Sequence, residues 1–351
     1  MRPVVALLLL VACSSKSSTK PAPEPVASAG EDAAAPALID AAATITLTRP
    51  PPLPPLPRGL PKLRDVDYNP ATPEKHDLGA VLFFDSRLSR DGSMTCASCH
   101  VPSNGFAGAE PLALTLDGHR NLRHAPTLLN AGYHRALFQD GRADSLEAAI
   151  EANWAGQMGA DPDRVADTLA RHPMYAALFE RAFAEPPTGR HIVEALAVYV
   201  RYLRSGDAPW DRHEAGLPGA GVDDIAIAGA RVFNGRAQCA QCHPPPLYTD
   251  LGFHVAATSG DVGRARVTGL PADQYSFRTP TLRGAATRTP YLHDGSVSEL
   301  GALLDAHLIQ MTTTPGQPPM VLSREERTQL LTFLLALSPD ATPFEKPRTI
   351  R

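Results

Sequence analysis

The chain has 351 residues, enough for two ordinary domains, and its hydrophobic content of 43% is that of a globular protein. The formal net charge of −4 argues against nucleic acid as a partner, because binding phosphates needs a basic surface. Four of the five cysteines, Cys96, Cys99, Cys239 and Cys242, lie inside two C-x-x-C-H motifs, which leaves no pair for a conventional disulfide framework.

Residues 1–12 have the features of an export signal. The apolar run VVALLLLVA follows a basic residue and is too short to span a bilayer as a stable helix. The run ends at Cys13, as in a bacterial lipoprotein signal that is cleaved before the cysteine that carries the lipid. The alternative is an ordinary secretory signal in which Cys13 has no role. Both predict export to the periplasmic side, and the first predicts membrane attachment by the lipid anchor alone.

Residues 13–57 form the predicted tether. They are rich in Ser, Ala and Pro and cannot bury enough apolar surface to fold alone. The proline-rich end of this segment is expected to extend with polyproline geometry. The folded part of the chain is therefore expected to begin near residue 58.

From residue 58 onward the sequence signals are helical. Asp161 followed by Pro162 predicts a capped helix start, and Ser323 with Glu326 forms a capping box before another helix. A helix between these two is predicted from one apolar face, made of Ile192, Leu196, Tyr199 and Leu203. No clear run of alternating strands occurs. The predicted fold class is mainly α, with long loops.

Residues 96–100 (CASCH) and 239–243 (CAQCH) have the pattern of c-type haem attachment sites. In C-x-x-C-H the two thiols add to the vinyl groups of haem, and the histidine binds the iron from the same side. A zinc site would need another pair of ligands close by in sequence, and neither copy has one. Two covalently bound haem c groups are therefore predicted, with His100 and His243 as proximal ligands.

A repeat around the motifs predicts two related haem domains. GAVLF at 79–83 precedes the first motif, and GARVF at 229–233 precedes the second. A shift of 154 residues aligns the segment from Arg123 with the segment from Phe277, including APTLLN with TPTLRG and QDGRADSL with HDGSVSEL. Gly and Pro cluster around residues 214–224. Cytochrome c-like domains are therefore expected at 58–215 and 216–345.

The second haem needs a ligand on the side opposite His243. The segment after YLHDGSVSEL predicts a helix with one inward face, made of Leu300, Leu303, Leu304, His307 and Met311. Histidine and methionine both serve as sixth ligands in cytochromes. His307 is the predicted ligand, and Met311 is the alternative.

The sequence resembles the bacterial di-haem cytochrome c peroxidase and MauG family. The resemblance rests on TPEKHDLGAVLFFDSRLSRDGSMTCASCH, RHAPTLLN, DGRADSL, FNGRAQCAQCH and FRTPTLRGAATRTPYLHDGSVSEL, which together span residues 58–340. It implies two cytochrome c-like domains, with hydrogen peroxide reacting at the N-terminal haem. It also implies a six-coordinate C-terminal haem that relays electrons from a small redox protein, and it allows a homodimer.

Three positions depart from the family pattern. His307 stands where peroxidases carry methionine and MauG proteins a tyrosine, which implies a lower potential than a His/Met haem has. Gln139 replaces the tryptophan that lies between the haems. Gln157 stands at the glutamate that acts as acid–base over the peroxide site, so weak turnover is expected. Glu151 could take that role, although a solvated helix residue is the more ordinary interpretation.

The loop before APT departs as well. His124 replaces the asparagine that contributes to the family's interdomain calcium, and histidine is a poor ligand for a hard cation, so calcium is doubtful. His119 and His124 are candidates for the sixth ligand of the first haem, but a vacant position is preferred. Arg123 and Arg142 are candidates to pair with haem propionates or to form surface salt bridges.

The predicted function is that of a peroxide-reactive di-haem oxidoreductase. One alternative is a MauG-like oxidant of a protein substrate, suggested by the non-methionine ligand at His307. The other is a non-catalytic, membrane-tethered electron carrier, suggested by Gln139, Gln157 and a haem held by two histidines.

Overall fold

The computed structural model describes residues 47–256, 260–312, 320–340 and 350, without the side chains of Met311 and Thr312. The predicted signal, Cys13 and most of the tether lie outside these residues, as does the Met311 side chain. Residues Ile45–Arg351 cluster as one compact unit. No helix in the described part has the length and apolar character that crossing a membrane requires.

The first half of this unit is helical. Its elements are α1 (Pro73–Phe83), α2 (Cys96–Cys99), α3 (Leu146–Met158), α4 (Pro162–Ala170), α5 (Pro173–Phe183) and α6 (Gly189–Arg201). The Asp161 side chain accepts hydrogen bonds from the first backbone N–H groups of α4, as the sequence predicts. Helix α6 is buried on nearly all sides because α1, α3 and α4 pack against it.

The second half is shorter and has more irregular chain. It contains α7 (Pro209–Glu214), α8 (Asp224–Asn234), α9 (Ala265–Thr268), α10 (Leu300–Thr312) and α11 (Arg324–Ala336). The predicted capping box of Ser323 and Glu326 starts α11. Two three-residue strands, β1 (Phe253–Val255) and β2 (Ser276–Arg278), form an antiparallel pair. The mainly helical prediction is confirmed.

Two hydrophobic clusters lie within the unit. The first is built largely from α1, α3, α5 and α6 and includes Phe83 and Leu196. The second is built largely from α8, α10 and α11 and includes Phe233 and Phe333. Each cluster also packs against a cysteine of one C-x-x-C-H motif, Cys96 or Cys239.

The described end of the predicted tether lies on the first half. Leu47 packs against the first hydrophobic cluster. Arg181 donates from Nη1 to the Thr48 carbonyl over 2.6 Å, and Arg204 donates from Nη2 to the carbonyls of Pro54 and Pro55 over 2.6 and 3.0 Å. These side chains satisfy carbonyls that an extended segment leaves without intrachain partners.

Backbone details repeat between the halves at the predicted offset of 154 residues. The Leu137 N–H donates to Ala143 O, and the Tyr291 N–H to Val297 O, each over 2.7 Å. Left-handed residues match in the same way: Asn130 with Gly284, Phe138 with Leu292, and Gly141 with Gly295. The aligned segments therefore fold alike, although few of their side chains are identical.

Glycine sets how closely two pairs of helices cross. A Cβ added to Gly79 on α1 would lie 2.0 Å from the Ala195 carbonyl oxygen on α6. One added to Gly229 on α8 would lie 1.9 Å from the Gln329 carbonyl oxygen on α11. These glycines begin the GAVLF and GARVF sequences, so the sequence repeat marks an equivalent close helix crossing in each half.

Gly229→Ala is expected to force α8 and α11 apart and to lower the free energy of unfolding by ~2 kcal/mol or more. Gly156→Ala on α3 is the matched control, because its added Cβ meets nothing within 4 Å. The control should be neutral or stabilise by up to ~1 kcal/mol through helix propensity. Urea unfolding followed by circular dichroism compares the two variants, and an unfolding free energy for Gly229→Ala equal to that of the parent would contradict the close crossing.

Candidate haem sites

The first motif is presented by a short, capped helix. Thr95 and Ser98 form a capping box at the start of Cys96–Cys99, which places the two thiols one turn apart. His100 follows at the C-cap, and its Nδ1–H donates to the Phe106 carbonyl over 3.2 Å. This bond fixes the orientation of the ring and leaves Nε2 as the nitrogen that can bind a metal.

The second motif is presented by a different turn but orients its histidine in the same way. Cys239 and Cys242 lie on a single 3-10 turn, and the His243 Nδ1–H donates to the Tyr248 carbonyl over 3.0 Å. Phe106 and Tyr248, which supply the two accepting carbonyls, both have a positive φ, 54° and 52°. Such a conformation is uncommon for an aromatic residue, so each site holds its accepting carbonyl in an unusual backbone geometry.

Both motif histidines are poised as neutral ligands. Burial lowers the pKa of His100 and of His243 to about 4. Each imidazole is therefore uncharged at neutral pH, which is the form that binds a metal ion. Burial also raises the pKa of Cys96 to about 12 and that of Cys239 to about 11.

A cavity of about 340 Å³ lies beside the second motif. Cys239, Cys242 and His243 line one side. The opposite side is lined by residues of α10, among them Leu300, Leu303, Leu304 and His307. These are the residues that the helical periodicity places on the inward face. The cavity is mainly apolar with a few polar groups, as small-molecule and cofactor sites are.

The His243 and His307 rings face each other across this cavity. Their centroids are 6.4 Å apart and their planes are inclined by 66°. An ion held at ~2 Å from one nitrogen of each ring, the usual metal–imidazole distance, needs centroids roughly 6–6.5 Å apart. The residues present at this site thus fit a haem iron between two histidines.

The site of the first motif has a different environment. Ring contacts within the described residues pair His243 with His307 but pair His100 with no other ring. Gln157 lies on α3, whose Met158 belongs to the hydrophobic cluster on which Cys96 packs. The Gln157 Oε1 atom is buried and has no hydrogen-bond partner among the described residues. An orphaned buried polar atom of this kind fits a site that receives a further group.

The histidines of the loop before APT have different environments. His119 is exposed. His124 is buried, its Nδ1 contacts the carbonyls of Glu110 and Pro111 at 3.1 and 3.2 Å, and its backbone N–H donates to His293 O over 2.7 Å. His124 also lines the cavity beside the second motif, which is called the second cavity from here on. It therefore lies at the junction between the two halves.

Gln139 lies at the same junction. Its Nε2 donates to the His124 carbonyl over 2.8 Å, and its own carbonyl accepts from the Arg278 N–H over 2.8 Å. Gln139 lines the second cavity. The position that the family resemblance places between the haems is therefore occupied by a glutamine whose carboxamide bonds within the first half and whose backbone carbonyl bonds to the second half.

Arg123 has a role that the sequence analysis missed. It forms ion pairs with Asp140 and Asp261, each at 2.5 Å, and its side chain is 9% exposed. The guanidinium also lies 5.3 Å from the centre of the Phe277 ring. Arg123 is therefore committed to buried carboxylates, one of them 138 residues away in the chain, rather than to a surface salt bridge. Arg142 pairs with Asp140 and stays half exposed.

Two other arginines line the second cavity, Arg278 and Arg288. Neither was singled out from the sequence. The only sequence feature that could have pointed to them is their position in FRTPTLRG and ATRTPYL, within the segment that aligns between the repeats.

One group of side chains could be taken for a separate cation site. Ligand atoms of Cys242, Asp250 and His254 lie within 4.8 Å of one another. However, Cys242 is the second cysteine of a C-x-x-C-H motif, and His254 Nε2 already pairs with Asp250 at 2.7 Å. The group therefore belongs to the surroundings of the haem motif.

Comparisons with known proteins agree with this geometry. The family model for di-haem cytochrome c peroxidase matches residues 73–217. Methylamine utilization protein MauG of Methylorubrum extorquens is 39% identical over 293 residues, covering 80% of this chain and 82% of that protein. Cytochrome c551 peroxidase of Pseudomonas aeruginosa is 30% identical over 308 residues, covering 84% and 86%.

A solved structure shares the fold over the same region. The crystal structure of a MauG-like protein associated with microbial copper homeostasis superposes with a TM-score of 0.75 at 27% identity, covering 83% of this chain and 98% of that one. These matches confirm the resemblance noted in the sequence and support peroxidase-type enzymatic activity and two haems at the level of the family. The chain belongs to the di-haem cytochrome c peroxidase and MauG family.

Proposed function

We propose that the protein is an exported di-haem c-type oxidoreductase that reduces hydrogen peroxide at its first haem and relays electrons through its second. The observation that carries this proposal is the difference between the two sites. His243 faces His307 at a separation of 6.4 Å between ring centroids, whereas His100 has no facing ring among the described residues. A capped iron suits electron transfer, and an iron with an open position suits a substrate.

In this proposal each motif supplies two thioether links and one axial histidine. Cys96, Cys99 and His100 hold the first haem. Cys239, Cys242 and His243 hold the second, with His307 as its sixth ligand. The bound haems supply the redox chemistry, and the chain fixes each proximal ring through the hydrogen bond to Phe106 O or Tyr248 O. These roles follow from the chemistry of C-x-x-C-H and from the cavity beside the second motif.

Gln157 is proposed to lie over the peroxide site. Its carboxamide can hydrogen-bond to peroxide, and the unpartnered Oε1 gives it a free acceptor. An amide has no proton to transfer at neutral pH, so cleavage of the O–O bond lacks a built-in general acid–base. Slow peroxide turnover is the expected consequence.

Further features are proposed from the sequence. The electron donor is a small redox protein, as the naming of cytochrome c peroxidases among the relatives supports. Cleavage before Cys13 and lipidation would place the protein on the periplasmic side, attached to a membrane by its lipid. Calcium at the family's interdomain site is doubtful, because His124 replaces an oxygen ligand.

A MauG-like oxidation of a protein substrate is the second candidate. The observation that favours it is His307, which takes the place of the methionine of peroxidases. Two imidazoles hold oxidised iron more firmly than a thioether ligand does, so the second haem is a weaker electron relay.

Replacement of His307 tests the ligand assignment. His307→Ala removes one of two facing imidazoles, so the second haem of the oxidised protein is expected to change from low-spin to high-spin. Visible and electron paramagnetic resonance spectra measure the change. Met311→Leu is the matched control: it removes the alternative ligand and should leave the low-spin spectrum unaltered. If the second haem stays low-spin in His307→Ala, His307 is not its sixth ligand.

Gln157→Glu introduces a group that can move a proton. The rate of the peroxide reaction is expected to rise by about tenfold or more, since a positioned acid–base group contributes typically ~10²–10⁴-fold. Glu151→Gln is the control and should leave the rate unchanged, because Glu151 is exposed on the same helix. If the two variants react with peroxide at the same rate, Gln157 does not lie over the substrate.

The proposed function is tested by mixing haem-loaded protein with hydrogen peroxide in a stopped-flow spectrometer. The fully oxidised protein and the form holding one added electron are both examined. A rapid Soret change, followed by oxidation of added reduced cytochrome, is the expected result. If neither form shows a Soret change, the proposal is overturned. The protein would then be a tethered electron carrier with a peroxidase fold.

A further inference from the structure

Two positively charged side chains in the second cavity have no carboxylate partner. Arg278 and Arg288 both line the cavity that lies between His243 and His307. Within residues 47–256, 260–312 and 320–340, neither forms an ion pair with a carboxylate. An arginine remains charged at neutral pH even when burial lowers its pKa to about 10, as it does for both of these residues.

Arg288 is held by neutral groups only. It is 9% exposed. Its Nη1 donates to the Arg283 carbonyl over 2.8 Å, and its Nη2 donates to the Thr281 carbonyl. These bonds fix the plane of the guanidinium but do not neutralise it. Its remaining N–H donors are available to a group in the cavity.

Arg278 is also held by neutral groups, which belong to the first half of the unit. Its Nε donates to the Phe138 carbonyl over 3.1 Å, and its Nη1 lies 2.7 and 2.8 Å from the two ring nitrogens of His134. Burial lowers the pKa of His134 well below its usual value, so that ring is neutral as well. Arg278 therefore also carries an unbalanced positive charge.

Two buried arginines elsewhere in the described part of the chain are paired with carboxylates. Arg283 forms a two-pronged ion pair with Asp211 at 2.7 and 2.8 Å, and Arg201 pairs with Glu147 at 2.8 Å. Burying a charge without a counter-ion is costly.

Arg204 is also buried without a carboxylate partner among the described residues, but it lies elsewhere. Arg278 and Arg288 differ from it because both line the same cavity, which favours an occupant that carries two negatively charged groups.

We propose that Arg278 and Arg288 bind the two propionate carboxylates of the haem in the second cavity. This inference rests on the haem placement in the proposed function, but not on peroxide chemistry. Haem carries two carboxylates, and guanidinium groups with free N–H donors are suited to two-pronged bonds with them. In this arrangement the two arginines position the haem and balance its charge.

The proposal predicts a change in reduction potential. Reduced haem carries one negative charge more than oxidised haem, so a nearby cation stabilises the reduced form. Arg278→Met and Arg288→Met are each expected to shift the equilibrium at the second haem toward the oxidised form by at least about tenfold, a fall of about 59 mV for a one-electron couple. Spectroelectrochemical titration of the low-spin haem, without peroxide, measures this shift.

Arg204→Met is the matched control. Arg204 is also buried and also donates to backbone carbonyls, but it does not line the second cavity. Its replacement should leave the second potential unchanged. Equal potentials in the parent, Arg278→Met and Arg288→Met, with both haems bound, would overturn the proposal. Because no peroxide is present, this outcome is separate from a failure of the proposed function.

Lysine variants provide a second test if a methionine variant does not fold or does not acquire both haems. Arg278→Lys and Arg288→Lys retain the charge but lose the planar, two-pronged donor. The equilibrium constant between oxidised and reduced second haem should stay within about threefold of the parent value. The propionate bending bands in the resonance Raman spectrum should move. Unmoved bands in both lysine variants would show that the arginines do not touch the propionates.

Discussion

The geometry of each candidate haem site depends on one hydrogen bond, from the Nδ1–H of the motif histidine to a backbone carbonyl. The accepting residues, Phe106 and Tyr248, follow their motif histidines by six and five residues and share an uncommon positive φ. Because this bond determines which nitrogen faces the haem, it also determines where a ligand on the opposite side has to stand. In each half two helices cross closely at a glycine, Gly79 or Gly229.

The two sites share this framework and differ on the opposite side. In the second half, α10 brings His307 to the distance at which an iron could bind both rings. In the first half, the proposed function places Gln157 of α3 over the site, and the buried Oε1 of this residue has no hydrogen-bond partner among the described residues. Under the proposed function, the repeated segments thus supply one capped and one open site without a change in the motif itself. Arg278 and Arg288, which line the second cavity, would balance the charge of the proposed occupant.

The sequence predicted the features that depend on local pattern. Helix caps at Asp161 and Ser323, the repeat offset and the inward face of α10 follow from spacing along the chain, and the structure confirms them. Contacts between distant segments could not be predicted in this way. Arg123 pairs with Asp261, 138 residues away, and no local pattern indicates that partner.

The same limit applies to two other features. Residues 47–57 resemble a tether in composition, yet Arg181 and Arg204 hold their carbonyls against the folded unit. Arg288 is unremarkable in sequence and becomes informative only when its burial and its neutral partners are known. Such features depend on which charges the fold brings together, and tertiary packing decides this.

The central claim, that one haem is capped and the other open, is tested most directly by electron paramagnetic resonance of the oxidised protein during titration with azide. We expect one low-spin and one high-spin haem in equal amounts, and azide should convert only the high-spin signal. Two low-spin signals that do not respond to azide would contradict the account, because no iron would then have a position open to peroxide.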